Sequence, residues 1–167
     1  EIKECDWSSD VCSSDLRAHR CGPGGGLRVI VLDTNVISEI LRPEPDDAVV
    51  AWMEDLTGDV AITAITLAEL LAGLRHLPKG RRRSTLAARI DAALEPYRES
   101  RAILSFDERA ADKYADILAA REQAGRPIHT AAAQIAAICR AHDAACATRN
   151  TSDFTGTGVE LIDPWKV

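Results

Sequence analysis

The sequence predicts an α/β fold in which a mainly parallel sheet is wrapped by helices, as in an α/β/α sandwich. Short β-branched runs alternate with longer amphipathic stretches, and this alternation is typical of parallel sheets. The first run, residues 28–32, is almost continuously apolar, which indicates a strand that is buried on both faces. The length of 167 residues and the 46% hydrophobic content correspond to one ordinary domain.

The predicted elements follow one another from residue 28 to residue 162. Arg42-Pro43 ends the first helix and Gly125 ends the fifth, because proline and glycine stop helices. Pro78 ends the third helix, whose leucines recur at the spacing of a core-facing stripe. Thr130 is expected to cap the sixth helix. Strands are expected at 28–32, 60–63, 102–106, 144–148 and 159–162, and helices at 35–41, 46–56, 66–77, 84–97, 107–124 and 131–142.

Composition and charge exclude several classes of protein. No run approaches the roughly 20 apolar residues of a membrane-spanning helix, so a membrane protein is excluded. The net charge of -6 argues against nucleic-acid binding through bulk positive charge. The aromatic content of 4% argues against a stacking platform for single strands. Any role with nucleic acid must therefore be local.

Residues 1–27 differ from the remainder of the chain. They contain three of the five cysteines and show no helical or strand periodicity. The stretch from Asp6 to Leu16 can be reverse-translated into a widely used DNA sequencing adapter. We therefore expect residues 1–27 to be a non-native, disordered tail that precedes one domain, residues 28–167; a natural disordered tail is the competing interpretation. The other two cysteines, Cys139 and Cys146, lie in apolar contexts and are expected to be buried free thiols of a cytoplasmic protein.

Three acidic residues stand out by their placement. Asp33 follows the first strand, at the sheet edge where α/β proteins bind ligands, although it could simply cap the next helix. Glu69 lies on the third helix, roughly 140° from the leucine stripe, where a solvated side chain is the simpler interpretation. Asp153 follows the fourth strand, where an aspartate most often forms an Asx turn.

Together these residues suggest a shared site. If the first and fourth strands are neighbours, Asp33 and Asp153 emerge at the same edge of the sheet. Carboxylates that converge repel one another by roughly 4 kcal/mol per close pair at an effective dielectric constant of 20, so they need a cation. Ligands that are all oxygen favour Mg²⁺ or Mn²⁺ over zinc, and such sites often serve phosphoryl chemistry.

Four ordered motifs support a family resemblance. Residues 31–39, 63–70, 147–154 and 163–165 read VLDTNVISE, TAITLAEL, ATRNTSDF and DPW. In these motifs the chain resembles the PIN-domain ribonucleases, most closely the VapC and FitB toxins of bacterial type II toxin–antitoxin pairs. The resemblance covers essentially all of residues 28–167.

The resemblance implies a metal-dependent endoribonuclease that hydrolyses RNA phosphodiester bonds in the cytoplasm. It assigns Asp33, Glu69 and Asp153 as ligands of Mg²⁺ or Mn²⁺, and the ion would polarise the scissile phosphate. Such toxins usually form homodimers, and a small DNA-binding antitoxin inserts a segment into the cleft. The resemblance also assigns supporting roles at the site to Thr34, Asn35 and Asn150.

One position departs from the family pattern. The family places an aspartate in the first turn of the helix that follows Pro127-Ile128, whereas this chain has Ala132 there. The change removes one of about four carboxylates from a site in which magnesium has few protein ligands, so we expect weakened or absent activity. A sequence error, a natural loss and an engineered substitution would each produce this alanine. His129 could offer a ring nitrogen, but neutral imidazole is a poorer partner for Mg²⁺.

Two alternatives remain beside the nuclease. The chain could be a catalytically dead module that binds antitoxin or RNA without cleavage. A phosphotransferase with Asp33 as nucleophile would need a nearby second acid and a lysine, and residues 33–37 offer neither. Arg149 is expected to balance the carboxylates rather than to touch the substrate. The basic residues Arg81, Arg82 and Arg83 are candidate RNA contacts, although they could equally form a solvated loop or a dimer rim.

Overall fold

The computed structural model describes residues 28–167, and its centre is a five-stranded sheet in which every neighbouring pair is parallel. The strand order is β3-β2-β1-β4-β5, so the first strand lies in the middle of the sheet. The strands are β1 (Ile30–Leu32), β2 (Val60–Thr63), β3 (Ile103–Leu104), β4 (Ala145–Ala147) and β5 (Leu161–Ile162). The predicted parallel α/β architecture is confirmed.

Seven helices connect and flank the strands. They are α1 (Thr34–Ile40), α2 (Asp47–Glu54), α3 (Ala64–His76), α4 (Arg81–Glu99), α5 (Glu108–Gln123), α6 (Thr130–Ala141) and α7 (Thr151–Phe154). Side-chain caps define several of the starts, as in α2, where Asp46 accepts a hydrogen bond from the Ala48 N–H. Gly125, with φ of +64°, follows α5 in the left-handed conformation that ends many helices.

The sheet separates two parts of the core because successive residues of a strand point to opposite faces. Val31 of β1 packs with Ile117 of α5 and with α6, which is buried along almost its whole length. Leu32, the next residue, packs on the other face with Leu70 of α3 and Leu94 of α4. The molecule is therefore an α/β/α sandwich, as predicted.

Three local predictions are corrected. The basic residues 81–83 form the first turn of α4, whereas a loop was expected to precede a helix at 84. The expected polar loop at 149–154 contains the one-turn helix α7. Thr130 is the first residue of α6 rather than its cap; His129 holds the cap position and makes no side-chain capping bond. Helix α4 thus begins three residues before its predicted start, α6 begins one residue before its predicted start, and α7 replaces part of a predicted loop.

The predicted tail, residues 1–27, lies outside the described residues, so the domain prediction is not tested. Cys139 and Cys146 are buried free thiols, as expected. Within residues 28–167, no helix combines the length and the apolar character that crossing a bilayer requires.

Candidate active site

The candidate active site lies at the crevice between β1 and β4. Leu32 and Ala147 are in register at the carboxyl ends of these strands, and Asp33 and Thr148 follow them directly. After β1 the chain adds β2 and β3 on one side of this strand, and it later adds β4 and β5 on the other side. Ligands of open parallel sheets bind at such a reversal of strand order. The predicted adjacency of the first and fourth strands is confirmed.

Asp33 is the centre of a hydrogen-bond network. One carboxylate oxygen, Oδ1, accepts a bond of 2.7 Å from the Thr34 N–H. The other, Oδ2, accepts bonds from Asn35 Nδ2 at 2.6 Å and from Thr148 Oγ1 at 2.8 Å. The residue is buried, with 6% of its surface exposed. Three donors therefore hold the carboxylate in one orientation.

Burial raises the pKa of the Asp33 carboxyl above its ordinary value. The bonds from Thr148 and Thr34 oppose this rise, whereas the negative charge of Glu69 adds to it. Burial is the largest single cause, and the net direction of the pKa is upward although three hydrogen bonds oppose it. A positive charge from outside the protein would be favourable here.

Glu69 is connected to the Asp33 network through the side chain of Thr34. It lies on α3, where its side chain is exposed, and accepts a hydrogen bond from the Thr34 hydroxyl. The structure thus brings together the predicted residues Asp33, Thr34, Asn35 and Glu69. Within residues 28–167, none of the three candidate carboxylates forms an ion pair with a basic side chain.

Asn150 and Asp153 enter from the segment after β4. The Asn150 N–H donates to Thr148 Oγ1 at 3.0 Å, so Asn150 contacts the centre through its backbone. Asp153 lies on the one-turn helix α7 and is half-buried. Its side chain makes no hydrogen bond to any residue in the described part of the chain. The structure therefore brings Asp153 to the correct sheet edge but not into the Asp33 network.

Arg121 holds α7 and the segment before α6 in place. This α5 residue is 7% exposed, and its guanidinium donates to the carbonyl of Thr155 and, at 3.3 Å, to that of Pro127. Ala132, in the first turn of α6, is half-buried and packs against the core. Helix α6 contacts both α3 and α7, which carry Glu69 and Asp153. The position of the missing acid thus lies on a helix that contacts the helices of two predicted ligands.

The donor chemistry fits a hard divalent cation. Asp33 and Glu69 supply carboxylate oxygens, and the charge on Glu69 acts on Asp33. Within residues 28–167, however, no three acidic, histidine or cysteine side chains lie close enough together to hold an ion. Asp153, the remaining predicted ligand, does not form such a group with Asp33 and Glu69. His129 is exposed and does not form such a group either.

A cleft of about 690 Å³ opens beside the centre, between α1, α3 and α4. Thr34 and Glu69 form its inner end, and the walls are mostly apolar. Of the predicted RNA contacts, Arg81 and Arg82 line the cleft, whereas Arg83 does not. The other lining residues are Ser38, Leu41, Arg42, Pro43, Leu70, Gly73, Leu74, Thr85, Leu86, Arg89 and Ile90.

Two residues take roles that the sequence pattern did not indicate. Thr148 is fully buried and donates to Asp33, and its position directly after a strand was the available signal. Arg149 was expected to balance the carboxylates, but in the described part of the chain it forms no ion pair with them. Its guanidinium carbon lies 5.2 Å from the centre of the Trp165 ring.

Sequence comparisons place these features in context. The model of the PIN domain family matches residues 30–158. The chain is 42% identical to the VapC ribonuclease Y4jK of Sinorhizobium fredii. The alignment spans 139 residues and covers 83% of this chain and 99% of the relative. It is 41% identical over 138 residues to the toxin FitB of Neisseria gonorrhoeae, covering 82% and 99% of the two chains.

Solved structures show the same likeness. The crystal structure of FitAcB from Neisseria gonorrhoeae superposes with a TM-score of 0.77 at 40% identity, covering 83% of this chain and 99% of that chain. The structure of VapBC-5 from Mycobacterium tuberculosis, a member of the VapBC family of toxin–antitoxin systems, gives a TM-score of 0.58 at 26% identity. It covers 81% of this chain and 98% of that chain.

Proposed function

The chain belongs to the PIN-domain family, among the VapC and FitB toxins, and from this premise we propose that it is a metal-dependent endoribonuclease whose activity is weakened by Ala132. The single observation that carries the proposal is that one residue links two carboxylates, because Thr34 donates its N–H to Asp33 and its hydroxyl to Glu69. Both lie at the ligand-binding edge of a parallel sheet.

In this proposal Asp33, Glu69 and Asp153 hold Mg²⁺ or Mn²⁺. When bound, the cation supplies positive charge that polarises the scissile phosphate and lowers the pKa of a water molecule. Asp33 is the fixed ligand, because its three donors orient both oxygens. Asn35 and Thr148 keep that carboxylate from rotating toward other partners, and Thr34 fixes Glu69 relative to it.

The second candidate function is a module that binds antitoxin or RNA without cutting. Ala132 favours this alternative, because a methyl group replaces the carboxylate that the family pattern places in the first turn of α6. The lack of a three-residue metal cluster within the described residues points the same way. The two functions differ in whether Asp33, Glu69 and Asp153 suffice for RNA cleavage without a fourth carboxylate.

A cleavage assay on total RNA with Mn²⁺ separates the two functions. The chain as given is compared with the Ala132→Asp, Ala131→Asp and Asp33→Ala variants. We expect Ala132→Asp to cut about 100-fold faster than the given chain, because a restored ligand recovers about 2.7 kcal/mol of transition-state stabilisation. Ala131→Asp, one residue away on the same turn, is the matched control and should not gain activity.

Each outcome of this assay has a definite meaning. Cleavage by the given chain that Asp33→Ala abolishes supports the nuclease with three carboxylates. Cleavage by Ala132→Asp alone supports an inactivated nuclease. If neither chain cuts RNA, the nuclease proposal is wrong and the binding module is favoured.

We also propose that the chain acts as a cytoplasmic homodimer and binds a cognate antitoxin in the cleft beside the site. The mostly apolar cleft, with Arg81 and Arg82 at its wall, suits an amphipathic segment. Arg82→Glu should weaken co-purification with a co-expressed antitoxin. Arg75→Glu, also exposed but outside the cleft, should not. Equal recovery with both variants would contradict this location of the antitoxin.

A further inference from the structure

We propose that Arg149 is a phosphate-binding residue for the RNA strand that enters the active site, an inference that rests on the proposed nuclease function. The residue follows Thr148, which donates to Asp33. The Arg149 N–H donates to Asn35 Oδ1 at 3.1 Å, so its backbone is attached to the same network. Its position relative to Asp33 is therefore fixed by two neighbouring contacts.

The Arg149 guanidinium is held by an aromatic ring. It lies over the face of Trp165, with 5.2 Å between its central carbon and the ring centre. Trp165 is half-buried and packs against the core that includes Leu32. Contacts of this kind stabilise an exposed cation by about 0.5–1 kcal/mol. The ring thus orders a long side chain that would otherwise lose conformational entropy when it binds a ligand.

The donors of this guanidinium are available. Within residues 28–167, the Arg149 side chain makes no hydrogen bond, and no carboxylate lies within ion-pair distance of it. Two arginines of the nearby cleft differ in this respect. Arg42 pairs with Glu39, and Arg89 donates to the Leu41 carbonyl at 3.2 Å. Arg149 is exposed and can therefore direct its N–H groups to a ligand.

A structural role in neutralising Asp163 explains Arg149 less well. The Asp163 carboxylate already has a Lys166 partner at 2.7 Å and accepts a bond of 3.2 Å from the Trp165 N–H. The Lys166 hydrogen bond is the main cause that lowers the pKa of Asp163, and the charge of Arg149 is the least of the causes. Arg149 is thus an ordered cation with unused donors.

Phosphate is the ligand that matches these properties. A planar guanidinium presents paired N–H groups that bind two phosphate oxygens together. The carboxylates at the site repel an RNA backbone, and a cation at the same edge of the sheet offsets part of this repulsion. Because a phosphate contact reads no base, Arg149 is expected to position the strand without selecting its sequence.

Binding of a fluorescein-labelled, mixed-sequence single-stranded RNA tests this inference. Fluorescence anisotropy is measured with the full chain in EDTA, which prevents metal-dependent cleavage, over a series of NaCl concentrations. Arg149→Gln is compared with the given chain, with Arg149→Lys and with a matched control, Arg101→Gln. Arg101 is exposed and precedes β3, so it lies at the opposite edge of the parallel sheet.

We expect Arg149→Gln to weaken binding about two- to five-fold, the range of an exposed ion pair. The slope of log affinity against log salt should fall by about 0.7, the value for one phosphate contact with a single strand. Arg149→Lys should keep the slope because it keeps the charge. A purely structural role of the arginine would not predict this rescue by lysine. Arg101→Gln should leave both quantities unchanged.

Two results would overturn the inference in distinguishable ways. If the given chain binds RNA and Arg149→Gln has the same affinity and salt slope, the role of Arg149 is wrong while the nuclease proposal stands. If the given chain neither binds nor cleaves RNA, the proposed nuclease function fails and the inference fails with it.

Discussion

The centre of the candidate site and its outer carboxylates are built in different ways. At the centre, Asp33, Asn35 and Thr148 satisfy one another through hydrogen bonds between two neighbouring strand ends. Glu69 has one such bond, and Asp153 has none to another residue of the described chain. The centre is therefore part of the folded framework, whereas the outer carboxylates, Glu69 and Asp153, have at most one side-chain hydrogen bond within the described residues.

This difference separates stability from function. Removing a buried donor from the centre should destabilise the fold, because its partners lose a bond in a place that water cannot reach. Removing an outer carboxylate should leave the fold almost unchanged and affect only metal binding and cleavage. Substitutions at Thr148, Ala132 and Asp153 test this separation, and a substitution at Asp163 provides a comparison with a carboxylate outside the site.

The largest effect on stability is expected from Thr148→Val. The valine fits the space but leaves the Asn150 N–H without its acceptor and Asp33 without one donor. We expect the free energy of unfolding to fall by about 2 kcal/mol, as for other buried groups left unpaired. Urea denaturation measures it, and Thr148→Ser, which keeps the hydroxyl, should lose only about 1 kcal/mol for the methyl group. Equal losses for the valine and serine variants would mean that the hydrogen bonds of Thr148 add nothing to the free energy of unfolding beyond side-chain packing.

The second prediction concerns Mn²⁺ and Ala132→Asp. A ligand that binds only the folded chain stabilises it, by about 1.4 kcal/mol at ten times its dissociation constant. The thermal midpoint of Ala132→Asp should therefore rise when Mn²⁺ is added, and that of the given chain should rise less. Differential scanning fluorimetry measures both. A larger rise for the given chain would show that the outer carboxylates already hold the ion without a residue from α6.

The third prediction concerns the pH dependence of stability at Asp163, a carboxylate outside the candidate site. Hydrogen bonding to Lys166 lowers the pKa of Asp163 below its ordinary value of 3.8. A lowered folded pKa stabilises the fold above pH 3.8, and this contribution is lost as the pH falls through the folded value. Asp163→Asn should cost about 0.5 kcal/mol at neutral pH, since Lys166 is exposed.

Urea unfolding of both chains between ~pH 7 and ~pH 3 measures this effect. The difference in stability between the two chains should shrink as the solution becomes acidic. A difference that grows toward acid would show that burial, which raises the pKa, dominates at Asp163.

The smallest effect on stability is expected from Asp153→Asn. Without a side-chain partner in the described chain, the carboxylate contributes little to the fold, and the free energy of unfolding should change by less than about 0.5 kcal/mol. In the Ala132→Asp chain the same substitution should abolish Mn²⁺-dependent cleavage of RNA. A large loss of stability would place Asp153 in the framework rather than among the outer carboxylates.

The sequence contains enough information for the framework of the fold. The alternation of apolar runs predicts a parallel α/β sheet, and Asp33 is recognisable because it directly follows the most apolar strand. The resemblance adds Glu69 and Asp153; the local pattern alone favours a solvated side chain for Glu69 and an Asx turn for Asp153. The structure confirms the sheet edge shared by Asp33 and the β4 loop.

The remaining features depend on contacts between distant segments. Thr148 acquires its role only when β4 lies beside β1, and Arg149 only when the segment after β5 brings Trp165 against it. No local pattern specifies these contacts. The start of α4 at Arg81 was missed for a related reason, because three consecutive basic residues show no apolar periodicity.

The parallel pairing of β1 with β4 also has a consequence for the timing of synthesis. Asp33 and Thr148 are 115 residues apart in the chain, and the Asp33 carboxylate lacks one of its three donors until the later residue arrives. On the ribosome, β1 and β2 can pair early, but the crevice is completed only after β4 has emerged. A nascent chain that carries Asp33 and Glu69 therefore has no finished site until β4 and Thr148 have been synthesised.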